Sequence, residues 1–299
     1  VTASSTEAPP TAPDEPAERQ TTPFLVLQFF IFPMAIVAVC VTVFVVFGLV
    51  ASDGKSARDY LAEVRTGSAN RRWQAAFELS KVLQSSPETA LADERFIPEI
   101  VSLFEESGND DPRVRRYLAV ALGRLHDRRA VEALTKAVAA GGNDSETLIY
   151  SVWALGAIGD ARAIPALVPL AQDSDPGVRK AVVHALGGLS SPETTPVLVA
   201  ALSDSTDDVR WNAALALARH GDPLAKPVLL QMLDRRRLGE VQGLSVEQGE
   251  DVLIQAAAAA GRLSDPDLDE ALVRLRDSDP SLKVRDAARR ALVRLPPTS

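Results

Sequence analysis

Acidic and basic side chains recur in this sequence at spacings that proton-transfer chemistry can use. Asp175 stands four residues before Arg179, and Asp208 two before Arg210. A carboxylate held beside a guanidinium can act as a general base in a suitable pocket. The pairing returns unit after unit along the chain, whereas an active site occurs once. It therefore reads as a building rule, with Asp capping a helix and Arg bonding an acidic group of the adjacent unit. The histidines are His126, His184 and His220. His126 and His220 fall near helix ends, where a cationic ring suits the dipole. His184 sits mid-helix with no cysteine or second histidine at metal-ligand spacing. The glycines fall at helix ends or in loops and form no phosphate-cradling motif. No Ser or Thr is marked as a nucleophile by a paired base. The expectation is a non-enzymatic chain with no catalytic residue, no metal and no cofactor.

The elements that carry these residues are repeated. The stretches "NDDPRVRRYLAVALGRL" (109–125), "DSDPGVRKAVVHALGGL" (173–189) and "DSTDDVRWNAALALARH" (204–220) are near copies. An Ala-Leu-small ending falls at 121–123, 154–156, 185–187 and 216–218, at intervals of 33, 31 and 31 residues. Diverged endings follow at 259–261 and 291–293, and an early copy, "RWQAAFELSKVL", occupies 72–83. A period in this range signals stacked supersecondary units. Each unit predicts two helices: Ile164, Leu167, Val168 and Ala171 recur at helical spacing in the first, and Val178, Val182, Leu186 and Leu189 in the second. Between them, Asp-Ser-Asp-Pro makes a turn, with Asp as cap and Pro at the first helical position. Helix breaks are expected near Pro112, Pro176 and Pro280. Small residues near the end of each second helix permit close approach of the next unit.

These copies resemble HEAT repeats, in particular the bacterial type related to phycobilin-lyase HEAT-like proteins. The resemblance covers about 57–295. It implies an all-α fold, a right-handed α-α superhelical solenoid of about seven repeats. The third unit departs from the pattern, with "SETLIYSVWALGAIGD" in place of a Val-Arg pair, and the sixth carries a long insertion before its second helix. The resemblance also implies an alternative activity, since some such proteins attach or isomerise bilin chromophores. A bilin-lyase-like enzyme or cofactor-handling protein is therefore the second reading, although no residue here supports it. Others hydroxylate a lysine with a metal held by paired His-Glu motifs, and those pairs are absent.

The N-terminal part differs in kind. Residues 1–23 are rich in Pro and Thr and weakly acidic, the composition of a disordered tail. Residues 24–50, "FLVLQFFIFPMAIVAVCVTVFVVFGLV", carry no charge and are long enough to span a bilayer as one helix. A short linker, 51–56, would hold the solenoid near the membrane, and 296–299 form a terminal tail. Lys55, Arg58, Arg65, Arg71 and Arg72 follow the apolar run, whereas only Arg19 precedes it. That bias places the N-terminus outside and the solenoid in the cytoplasm. The preference for Arg over Lys and the abundance of Ala suggest a GC-rich bacterium, hence the bacterial cytoplasmic membrane. The single cysteine, Cys40, lies in the apolar run, so no intrachain disulfide can form. A net charge of -8 argues against a nucleic-acid partner.

Two features point to protein partners, with other membrane-complex subunits foremost and the bilayer itself met through 24–50. Counting from the Arg of each second helix, the fifth following position reads Phe77, Val120, Trp153, His184 and Leu215. Tyr117 and Tyr150 stand three residues before Val120 and Trp153. This partly aromatic stripe either lines a groove for a partner or packs between neighbouring second helices. The insertion 234–251 carries Arg235, Arg236 and Arg237, which either touch acidic lipid headgroups or an acidic partner, or belong to a solvated loop. The function expected is a membrane-anchored, non-catalytic scaffold, an accessory subunit of a membrane complex.

Overall fold

The computed structural model describes residues 31–51, 55–140, 144–189 and 191–293. The expected tails 1–23 and 296–299 lie outside these residues, as do 24–30 of the expected span. The chain divides into two compact units at residue 54. The first contains helix α1 (Phe32–Ala51), with Pro33 in its first turn. From Phe32 to Val46 its side chains are exposed, Phe44 at 82% and Met34 at 73%. The side chains of 47–51 are not among those described, and among the described residues no helix is long and apolar enough to cross a membrane.

The second unit is a succession of helices: α2 (Ala57–Thr66), α3 (Ala69–Ser85), α4 (Pro87–Leu91), α5 (Phe96–Glu106), α6 (Pro112–Leu125), α7 (Val131–Ala139), α8 (Ser145–Ile158), α9 (Ile164–Leu167), α10 (Pro176–Gly188), α11 (Thr195–Ala201), α12 (Asp207–Arg219), α13 (Lys226–Met232), α14 (Arg235–Leu238), α15 (Val246–Ala260), α16 (Pro266–Ser278) and α17 (Leu282–Leu292). No strand occurs among the described residues. The second helices of seven successive pairs are α3, α6, α8, α10, α12, α15 and α17. Each packs on the next, and each pairs with the first helix of its own unit. The expected pairwise solenoid is therefore present.

Local chemistry sets the boundaries. Asp111 and Asp175 cap α6 and α10, and Pro112 and Pro176 occupy the first helical positions, where a missing N–H costs nothing. Pro280 lies just before Ser281, the cap of α17. On α6, Val114, Leu118, Leu122 and Leu125 face the core; on α10, Val178, Val182 and Leu186 do the same. One pair of helices cannot enclose such a stripe, so the stack shares one continuous core.

The Ala-Leu-small endings have a direct role in stacking. A Cβ placed on Gly123 would lie 2.9 Å from Ala154 Cα, one on Gly156 2.9 Å from Ala185 Cα, and one on Gly187 2.5 Å from Ala216 Cβ. Gly261 meets Ala291 in the same way, with its Cα at 3.0 Å. The glycine near the end of one second helix thus admits the alanine of the next. A second ladder is ionic. Arg72 pairs with Asp110 at 2.6 Å, and Arg179 grips Asp204 with two hydrogen bonds of 2.8 and 2.9 Å. A third set links second helices through backbone carbonyls: Arg124 donates to Ser80 O within α3, and Arg219 to Gly187 O near the end of α10 at 2.9 Å.

Candidate partner-binding face

The repeated Asp and Arg residues are occupied by structure. Asp175 accepts from Gly177 N at 2.8 Å, and the Ser145 hydroxyl together with that amide lowers its pKa. Asp204 is lowered chiefly by the Arg179 hydrogen bonds. Asp208 and Arg210 are not partners: Asp208 pairs with Lys180 of the preceding unit at 2.5 Å, and Arg210 bonds Asp207. His126 adopts a left-handed conformation, φ 52°, at the end of α6, with Nδ1 2.9 Å from Arg124 O. His220 Nε2 lies 3.1 Å from Gly187 O, and His184 is exposed. Among the described residues no cluster of potential metal ligands forms.

The third unit interrupts the ionic ladder. Leu148 occupies the place of the ladder Arg in α8. Arg115 of the second unit lies instead over the Phe104 ring, 5.2 Å from its centroid, and its Nε has no hydrogen-bond partner. Burial pushes its guanidinium pKa down.

The third unit carries two exposed aromatics of the second-helix face. Tyr150 is 38% exposed and Trp153 36%. Phe77, 37% exposed, meets half-buried Tyr117 edge to face, with centroids 5.1 Å apart and rings at 64°. Trp153 shows both of the properties that its sequence left as alternatives. One ring edge rests where Gly123 lacks a side chain, since a Cβ there would lie 2.6 Å from Trp153 Cζ3. The residue as a whole is about a third exposed. His184 and half-buried Leu215 continue the ridge over α10 and α12. Val120 does not belong to it. At 8% exposure it is buried, because its short side chain ends below the flanking helices α3 and α8.

Cations border the ridge. Lys81 lies 5.3 Å from the Phe77 ring, and the Arg113 guanidinium 4.4 Å from the ring of Trp73. Arg116 bridges to Asp144 at 3.0 Å and also contacts Glu146. Aromatic rings edged by cations, most with mates nearby, suit a protein surface better than a chemical site.

The insertion corrects the expectation for Arg235. Its guanidinium bonds the Asp279 carboxylate at 2.7 and 2.8 Å, and the Asp279 side chain is only 1% exposed. Leu253 fills the ladder position of α15, so Arg235 supplies from α14 the bond that a second-helix Arg supplies elsewhere. It is a structural tie. Arg236 and Arg237 remain exposed, on a short helix capped by Asp234. Sequence reasoning missed Met232 and Leu244, which line a cleft beside Trp211 and Leu215. The insertion was the available signal.

No curated protein matches the sequence. Among solved structures, the complex of CpcE and CpcF of phycocyanin lyase from Nostoc sp. PCC7120 is similar at 19% identity and a TM-score of 0.53, over 81% of this chain and 96% of that one. The archaeal HEAT-like repeats protein from Thermococcus onnurineus NA1 shares 16% identity over 81% of this chain and 97% of its own, with a TM-score of 0.44. At these identities the likeness is one of fold. The family model for HEAT repeats matches residues 97–177, 138–210 and 164–248, together more than half of the sequence. With its paired helices and glycine-alanine stacking, the chain belongs to the HEAT-repeat family.

Proposed function

We propose that this protein is a membrane-anchored, non-catalytic scaffold whose second-helix face holds a protein partner, an accessory subunit of a bacterial membrane complex. The observation that carries the reading is the ridge of Phe77 on α3 and of Tyr150 and Trp153 on α8, each more than a third exposed. Large aromatics kept at a surface are the usual anchors of protein interfaces, and an elongated helical stack offers them in a row. The anchor rests on the uncharged run 24–50 and on the apolar side chains of α1 exposed from residue 32 to 46. Such a surface in water is unfavourable, and a bilayer removes the cost.

The positive charges after residue 54 support a cytoplasmic solenoid with the N-terminus outside. A reporter active only in the periplasm, fused after Ser299, should therefore stay silent, and a strong signal reverses the orientation. Mild-detergent purification from the native membrane should bring membrane-complex subunits along. Purification as a lone, colourless chain removes the scaffold reading. The bilin-lyase reading takes its support from likeness to the phycocyanin lyase subunits in fold. Visible pigment on the purified protein would favour it.

A further inference from the structure

The glycine of the stacking rule is replaced at two junctions: by Ser80 in the first unit, and again just before the insertion. Between the fifth and sixth units the small residue of the second helix is Ala218 rather than glycine, and the insertion precedes α15. There α12 and α15 part around a cleft of about 290 Å³. Its floor is apolar: Trp211 and Met232 are buried, and Leu215 and Leu244 half-buried. Its rim is acidic. Asp208 is already held by Lys180 at 2.5 Å, whereas Asp251 is exposed and has no ion pair or hydrogen bond among the described residues. Leu215 belongs to both the aromatic ridge and the cleft, so one bound segment can run from one to the other.

We propose that this cleft is a socket for a basic, apolar-anchored segment of a protein partner. One large aliphatic or aromatic side chain rests on Trp211, Leu215 and Leu244, and a neighbouring Lys or Arg meets Asp251. The volume sits at the lower limit for small-molecule sites, roughly 300 Å³, and suits a single protruding side chain. Charge selects the segment: the free carboxylate and a chain carrying -8 overall attract cationic partners and repel acidic ones. The same net charge disfavours a second copy of this chain as the occupant. The inference rests on the protein-binding reading and names the chemistry of the partner.

The test uses the full chain in detergent micelles with its three tryptophans labelled at the indole nitrogen, so that Trp73, Trp153 and Trp211 report separately. The probes are short peptides in a Gly-Ser background with Lys-Leu, Glu-Leu or Lys-Ser at the centre. The Lys-Leu peptide should shift the Trp211 signal saturably, and the other two should not. Asp251→Lys, at an exposed position, should keep the wild-type melt, weaken Lys-Leu binding by roughly tenfold at low salt and favour Glu-Leu instead. A still Trp211 signal at millimolar Lys-Leu peptide overturns the proposal, as do equal responses to all three peptides or an Asp251→Lys variant that binds unchanged. Partner capture from native membranes separates this inference from the reading beneath it. Capture with Trp211 silent leaves the scaffold and removes the socket. A saturable Trp211 response without any co-purifying protein keeps the cleft's chemistry and removes the scaffold.

Discussion

Gly156→Ala sets two opposing effects against each other. In an isolated helix the change is favourable by about 1 kcal/mol, because alanine loses less backbone entropy than glycine. In this stack the new Cβ would stand 2.8 Å from Ala185 Cβ and 2.9 Å from Ala185 Cα, whereas ordinary contact begins at 3.4 Å. Neither atom is the free end of a flexible side chain, so α8 and α10 must part by about 0.5 Å or more. Overpacking of this kind costs about 1–3 kcal/mol, and contact with backbone places it in the upper part of that range. The net expectation is a loss of about 1–2 kcal/mol, a fall of roughly 3–6 °C in a unit of this size. Gly188→Ala is the control: it lies on α10, is exposed, and its Cβ would meet nothing nearer than Gly156 O at 3.9 Å. It should melt at or slightly above the wild-type temperature. Far-ultraviolet circular dichroism of both variants in detergent reads the difference. A Gly156→Ala variant as stable as Gly188→Ala would refute the idea that glycine is selected for helix approach.

Trp153→Ala should cost about 2 kcal/mol, less than the 3–5 of a fully buried ring because a third of it is already in water. It should also weaken partner capture at temperatures where the variant is folded; an unchanged melt would contradict the contact with Gly123. Arg179→Met leaves the Asp204 carboxylate without its main donor and should cost about 2 kcal/mol. A cycle with Asp204→Asn should show that the two losses are not additive, and full additivity would refute the ladder. Acid should destabilise the solenoid. Hydrogen bonds from Arg113, Arg129, Arg162 and Arg179 lower the pKa of Asp111, Asp127, Asp160 and Asp204, Asp160 to about 2. Below its ordinary value of 3.8 each binds a proton more readily unfolded than folded. Their stabilisation is therefore complete above that pH and lost as pH falls towards 2, so urea midpoints should drop steadily across this window. A flat profile would show that the caps contribute nothing.

Helix identity, pairing and unit count could be read directly from the chain. The Val178, Val182, Leu186 spacing defines a buried stripe whatever the helix packs against, and Asp-Pro starts a helix through contacts within a few residues. The inter-unit ties of Arg72 and Arg179 were legible in the repeated motif, whereas the equivalent Arg115 and Arg210 turn to Phe104 and to Asp207 of their own surroundings. What remained open depends on residues far apart in sequence. Trp153 rests on Gly123 in the preceding unit, so its place as half anchor and half packing follows from how two helices approach. Val120 shares its register with Trp153 yet is buried, since exposure depends on side-chain length against the neighbouring helices. Arg235 looked like a free charge until the fold set it against Asp279, 44 residues on. The cleft beside Trp211 exists because α12 and α15 do not close as the other second helices do. Periodicity is a property of one helix and survives in a string of letters. A surface is made where several helices meet, and only their packing decides it.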